Sequence, residues 1–216
     1  SVSVTKAWDD KDNQDGKRPS SVTVKLLADG QDTGKTLELN AANGWAGSFK
    51  DLDADKGGTP IQYTVVEVTV AGYTSEITGD AASGFTITNS YSPETVDVKA
   101  TKNWDDANNQ DGKRPESVTV QLYKKVGDAD PVAVEGKKLT LTAKDKTDAN
   151  TWVASFTNLP QYEAGKEITY SIKEVDVPAG YEASVTGQVV TNTHNPDTVI
   201  LSGTKVWKDN NNQDGK

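Results

Sequence analysis

Lys6, Glu67 and Asn89 each stand in a short run whose other same-face members are apolar. Side chains along a strand alternate between faces, so residues two apart share one. Val2, Val4, Lys6 and Trp8 therefore share a face, as do Ile61, Tyr63, Val65 and Glu67. Phe85, Ile87, Asn89 and Tyr91 share a third. An amine, a carboxyl and a carboxamide are thus directed into a core. An unpaired charge there is very costly, so the three groups should meet. Together they form either a structural network, a Lys–Glu ion pair with an Asn hydrogen bond, or a reactive set displaced by burial from its ordinary pKa values.

The set recurs. Val96, Val98, Ala100 and Lys102 share a face, and so do Ile168, Tyr170, Ile172 and Glu174. Near the end of this second copy Val190, Asn192 and His194 share one face and Val189 lies on the other. Val199, Leu201, Gly203 and Lys205 open a third copy, with no matching Glu or Asn after them.

The elements that position these residues repeat as well. Lys6-Ala7-Trp8-Asp9-Asp10 returns as Lys102-Asn103-Trp104-Asp105-Asp106 and as Lys205-Val206-Trp207-Lys208-Asp209. The run Asn13 to Pro19 returns as Asn109 to Pro115, and its first five residues as Asn212 to Lys216. Trp45, Phe49, Tyr63 and Glu67 match Trp152, Phe156, Tyr170 and Glu174; Ala71-Gly72-Tyr73 matches Ala179-Gly180-Tyr181. The chain therefore divides into a repeat at 1–92, a second at 93–196 and the start of a third at 197–216. Pro93 and Pro196 mark short, stiff joints. Val22, Val24 and Leu26 alternate with polar neighbours, as do Leu37 and Leu39. Such runs between Gly, Asp, Asn and Pro clusters predict an all-β fold of antiparallel sandwiches, without helical periodicity.

Composition narrows the function. Of 216 residues 34% are hydrophobic, which suits two small sandwiches better than one large core. A net charge of -9 argues against a nucleic-acid partner and against docking on an anionic membrane. No apolar run reaches the roughly 20 residues that span a bilayer. Neither a leader nor an anchor is visible, so the chain reads as cytosolic or as an internal piece of a longer secreted protein. With no cysteine, no disulfide can staple small extracellular domains. His194 is the single histidine, so a Ser-His-Asp triad has little support, and no phosphate-binding loop is present. A calcium site in the Asp/Asn-rich loops is the runner-up reading, but Lys11 and Ala107 stand where the first ligand belongs and Val22 and Val118 where the last does. A ligand-binding adhesive module is a further alternative, because sandwich loops can carry recognition.

The Lys-x-Trp-Asp-Asp opening, Asn-Gln-Asp-Gly-Lys-Arg-Pro, the Tyr-x-x-x-Glu segments 63–67 and 170–174, and the closing Ile87-Thr88-Asn89-Ser90-Tyr91 together resemble the Cna B-type repeats of Gram-positive adhesins and pilins. The resemblance covers both full repeats and the fragment. It implies tandem inverse immunoglobulin-like sandwiches in the stalk of an extracellular, cell-wall-anchored protein whose anchor lies outside this segment. The implied partners are other repeats of the same protein, with any host matrix protein bound by another domain. No cofactor or metal is implied, and no enzyme beyond a single self-directed turnover. The resemblance also implies that a first-strand Lys joins a last-strand Asn with an acidic residue assisting: Lys6–Asn89 with Glu67, and Lys102–Asn192 with Glu174. Asn192-Thr193-His194 departs from the usual Asn-x-Tyr ending, and Asn195 is a secondary candidate there. Lys205 has no partner in the third copy.

Overall fold

The computed structural model describes residues 1–216. Strands β1 (Val2–Asp9), β2 (Ser21–Ala28), β3 (Gln31–Asn40), β4 (Ala46–Phe49), β5 (Asp55–Lys56), β6 (Thr59–Pro60), β7 (Tyr63–Glu67), β8 (Thr74–Asp80) and β9 (Gly84–Ser90) come from the first copy of the repeat. Strands β10 (Thr95–Asp105), β11 (Ser117–Val126), β12 (Val132–Thr142), β13 (Lys146–Asp148), β14 (Thr151–Pro160), β15 (Tyr162–Glu163), β16 (Lys166–Glu174), β17 (Glu182–Thr186) and β18 (Val189–Thr193) come from the second. The only helical pieces are two three-residue 3-10 turns, Ala41–Asn43 and Ala143–Asp145.

Strands of one copy pair only with strands of the same copy. The first forms a sheet in the order β4-β1-β9-β8, a sheet β3-β2-β7 and a small β5-β6 ribbon. The second forms β13-β14-β10-β18-β17 and β12-β11-β16-β15. The fold is all-β, a pair of inverse immunoglobulin-like sandwiches. Neighbouring strands are largely antiparallel, but β1 runs parallel to β9 and β10 parallel to β18. The last strand of each copy thereby lies beside the first, and the two point the same way.

By proximity one compact unit takes in Ser1–Lys99, Leu122–Lys137 and Ser155–Ser171, and the other Ala100–Gln121, Lys138–Ala154 and Ile172–Lys216. In the first copy Val4, Val24, Leu26, Leu39 and Ile87 are at most 1% exposed, the inward halves of alternating strands. Their β-branched and leucine side chains suit a pleated, buried face. Segment 197–216 forms no strand, and Val199, Ile200 and Leu201 are exposed.

Candidate functional site

The alternating registers put a lysine and an asparagine on one sheet and a glutamate on the other. Lys6 is directly across from Ile87 on β9, and Trp8 from Asn89, so Lys6 and Asn89 lie on one face of adjacent parallel strands. Lys6 is 4% exposed and Asn89 wholly buried. Glu67 comes from β7 of the other sheet, its side chain 2% exposed, and its Oε1 stands 3.4 Å from Lys6 Nζ. Lys6 Nζ also donates to Ile87 O and Ala7 O, each at 3.2 Å. Neither polar atom of the Asn89 carboxamide has a hydrogen-bond partner. A buried orphan of this kind costs about 1–3 kcal/mol per group.

The second copy repeats this register. Lys102 is directly across from Val190, and Trp104 from Asn192. Lys102 and Asn192 are wholly buried. Glu174, on β16 of the other sheet, accepts from Asn192 Nδ2 at 3.1 Å. The two ends of a carboxamide are nearly isosteric. Turned over, the same group offers Oδ1 to a protonated Glu174. Burial pushes the Glu174 carboxyl up, against the opposing pull of Lys102 and Asn192. Burial lowers Lys102 to about 8, with Glu174 resisting. Lys6 is lowered by the same desolvation, opposed chiefly by Glu67. Lys102 therefore has the neutral, nucleophilic form within reach near neutral pH. Asn195, the secondary candidate, is exposed beyond β18. Lys205 is exposed in the strandless segment, its Nζ 4.0 Å from the Trp207 ring centroid.

An aromatic layer closes each site. Trp8 meets Trp45 and Tyr73 edge to face, both with centroids 5.2 Å away. Trp104 meets Trp152 and Tyr181 at the same distance. Lys6 Nζ lies 4.5 Å from the Trp8 centroid and Lys102 Nζ 4.1 Å from that of Trp104.

The Asp/Asn loop after β1 is not a free, solvated turn. It is instead a clamp. Arg18 grips Asp10 with two bonds, Nε to Oδ2 at 3.0 Å and Nη2 to Oδ1 at 2.5 Å. Tyr73 Oη adds a bond to Asp10 at 2.9 Å, and Asn13 Oδ1 accepts from Arg18 N. Lys11, Asp12 and Asn13 turn through the left-handed region, which Asp and Asn tolerate best. Asp106, Arg114, Tyr181 and Asn109 rebuild all of it. The signal was present: Asp and Arg recur at one spacing in both copies, with Ala-Gly-Tyr following. With Asp10 and Asn13 spent on internal bonds, the loop has its own structural task. Asp106 is 1% exposed. Arg114→Ala strands that charge and should cost about 3 kcal/mol in chemical denaturation.

A second acidic residue in each loop ties down the exit from the last strand. Asp15 Oδ2 accepts from Tyr91 Oη at 2.9 Å and from Glu94 N at 2.7 Å. In the second copy Asp111 Oδ2 receives His194 Nε2 at 3.0 Å and Asp197 N at 2.7 Å. His194 is therefore the stand-in for Tyr91. Its Nδ1 meets Gly180 O at 2.8 Å. Both ring nitrogens face acceptors, so the imidazolium alone satisfies both. Asp111 raises the His194 pKa above its ordinary 6.5, with Lys113 opposing. Asp111 is lowered in turn, by Asp197 N and then His194. The contact should stabilise the exit fully below the unfolded His value and fade as pH rises through the raised one. At the acid end it should fail as pH falls through the lowered Asp111 value. An NMR titration of this single histidine should place its midpoint above 6.5, and Asp111→Asn should lower that midpoint.

The chain matches the Cna protein B-type domain over residues 2–90 and 98–193. It is 42% identical, over its whole length, to a collagen adhesin of Staphylococcus aureus, and spans 17% of that protein. It also resembles the crystal structure of two B repeat units of the collagen binding protein of Staphylococcus aureus, at 40% identity and a TM-score of 0.78, covering 100% of this chain and 54% of that one. The chain belongs to the Cna protein B-type domain family.

Proposed function

We propose that each repeat is a load-bearing stalk unit that locks itself with one isopeptide bond, Lys6–Asn89 in the first and Lys102–Asn192 in the second. The observation that carries this reading is the recurrence, in one register, of a buried amine, a carboxyl from the facing sheet and a carboxamide, with Asn89 lacking any hydrogen-bond partner. A purely structural network would leave that orphan uncompensated.

The chemistry follows from the groups. Neutral Lys Nζ adds to Asn Cγ. The carboxyl of Glu67 or Glu174 hydrogen-bonds the carboxamide oxygen as charge develops on it, then relays a lysine proton to Nδ2. The Nζ–Cγ bond forms, the Cγ–Nδ2 bond breaks, and nitrogen leaves as ammonia. No oxidant, metal or cofactor enters, and each site turns over once.

The parallel pairing gives the bond its mechanical meaning. Val2 and Ser90 lie at opposite ends of the β1–β9 pair, so tension on the two termini shears that ladder. A covalent tie between residues 6 and 89 carries the load past the strands between. The kinship with adhesin repeats supports a spacer in an extracellular, cell-wall-anchored protein of a Gram-positive bacterium, with host-matrix recognition residing elsewhere in it. Tryptic digestion of the denatured protein should release branched peptides that join the Lys6 segment to the Asn89 segment and the Lys102 segment to the Asn192 segment. Only linear peptides at these four positions would overturn the proposal.

A further inference from the structure

The loop Asn13–Arg18 also reaches beyond its own repeat. Gly165, in the turn between β15 and β16, donates its N–H to Gln14 O at 2.9 Å. Gly16 and Gly165 touch backbone to backbone: a Cβ on Gly16 would stand 2.7 Å from Gly165 Cα. Lys17 Nζ lies 5.8 Å from the Tyr162 ring centroid. Asp15 holds Glu94 N, and Glu94 O accepts from Gln161 N. All these residues fall within one compact unit. Loop, linker and hairpin thus form a seam, closed where two glycines meet.

Each half of this seam occurs a second time, with open space at its glycine, although Lys113, the counterpart of Lys17, pairs with Asp197 at 3.0 Å. Gly112 is the counterpart of Gly16, with φ of 66° against 68°, and a Cβ there would meet nothing within 4 Å. Asp111 accepts Asp197 N at 2.7 Å, as Asp15 accepts Glu94 N at 2.7 Å, so the chain leaves both loops alike. The counterpart of the β15–β16 turn is the β5–β6 turn. Gly58 precedes Tyr63 at the spacing by which Gly165 precedes Tyr170, and it too has open space around it.

We infer that the loop Asn109–Lys113 is a docking surface for the hairpin of another repeat of this kind, and that the β5–β6 turn is the complementary surface offered to a preceding one. The occupied seam in this same chain is the template. Loop and hairpin are different surfaces carried by every repeat, so the contact is heterologous and propagates along a stalk without closing. Linked domains move relative to one another unless an interface holds them, and this seam is that interface. It is independent of the cross-links, because a joint is stiff or loose whether or not the bonds close.

The test appends a copy of residues 114–196 after Lys216, continuing the opening at 197–216 into a full repeat. The protein has no cysteine, so nitroxide pairs can be set at Glu76→Cys, Glu182→Cys and the copied Glu182, all on exposed strand positions. Electron–electron distance measurements should give equally narrow distributions across both joints. Asn tolerates the left-handed backbone but adds a Cβ. Gly16→Asn should therefore abolish the narrow distribution at the first joint alone, and Gly112→Asn at the second alone, with unchanged melting showing that the repeats stay folded. A broad second joint beside a narrow first one in the unsubstituted protein overturns the inference. So does a second joint that stays narrow in a folded Gly112→Asn variant. The result should be the same with Asn89→Ala and Asn192→Ala, the copied Asn192 also replaced, a background in which none of the proposed bonds can close.

Discussion

Asn89→Ala should lower the melting temperature of the first repeat by about 20 °C or more while leaving the second repeat's transition in place. The magnitude follows from the bond. A tie between residues 6 and 89 constrains an unfolded loop of about 80 residues, worth roughly 4–5 kcal/mol on the loop-entropy model. In a domain of this size each kcal/mol moves the midpoint by about 4–8 °C. Asn89 is the informative partner to remove. If the site were only a polar network, the alanine would delete two unpartnered buried atoms and leave a small cavity, with little loss. Lys6→Ala is costly on either reading, because it leaves the buried Glu67 carboxyl in the core without its neighbour. The double variant separates the readings again. With a covalent bond the two losses overlap strongly, since either change alone abolishes it; without one they sum within the coupling expected of neighbours. Calorimetry of the four proteins checks this, and additive losses would sink the covalent account.

Glu67→Gln and Glu174→Gln should leave folded repeats that close their bonds slowly. A positioned acid–base group contributes about 100- to 10,000-fold to such a step, and glutamine keeps the shape while losing the transferable proton. At Glu174 the replacement can still meet Asn192 where the carboxyl now accepts at 3.1 Å, so positioning survives. Mass measured at intervals after refolding gives the rate. The slow variant also exposes a pH dependence. Only the neutral amine reacts, so closure in the second repeat should speed up as pH rises. Lys102 sits at about 8 with Glu174 holding it up, so without that carboxylate the rate should level off no higher than this. Closure as fast as in the unsubstituted protein would remove the carboxyl from the mechanism.

Much of this site was legible in the residues because a period-two pattern has only two outcomes. Once Val2, Val4 and Trp8 face inward, Lys6 must as well, and the same parity fixes Glu67 and Asn89. Parity also decides the second repeat's ending, where Val190 and Asn192 face inward. The parallel pairing of first and last strands was not legible from alternation, which is the same whichever way a neighbour runs. Nor was the Asp10–Arg18–Tyr73 clamp. Its members stand in a loop without periodicity, and only their recurrence as Asp106, Arg114 and Tyr181 marked them. The Asp15–Tyr91 tie was hidden for the same reason. His194, first met as a departure from the expected ending, does the work of Tyr91 against Asp111.

The most direct test of the central claim is the intact mass of the denatured, unsubstituted chain. Each closed bond expels one ammonia, so two bonds should leave the protein about 34 Da lighter than its sequence requires. A mass equal to that of the sequence would contradict the account, and would return Lys6, Glu67 and Asn89 to a buried polar network in a spacer held by packing alone.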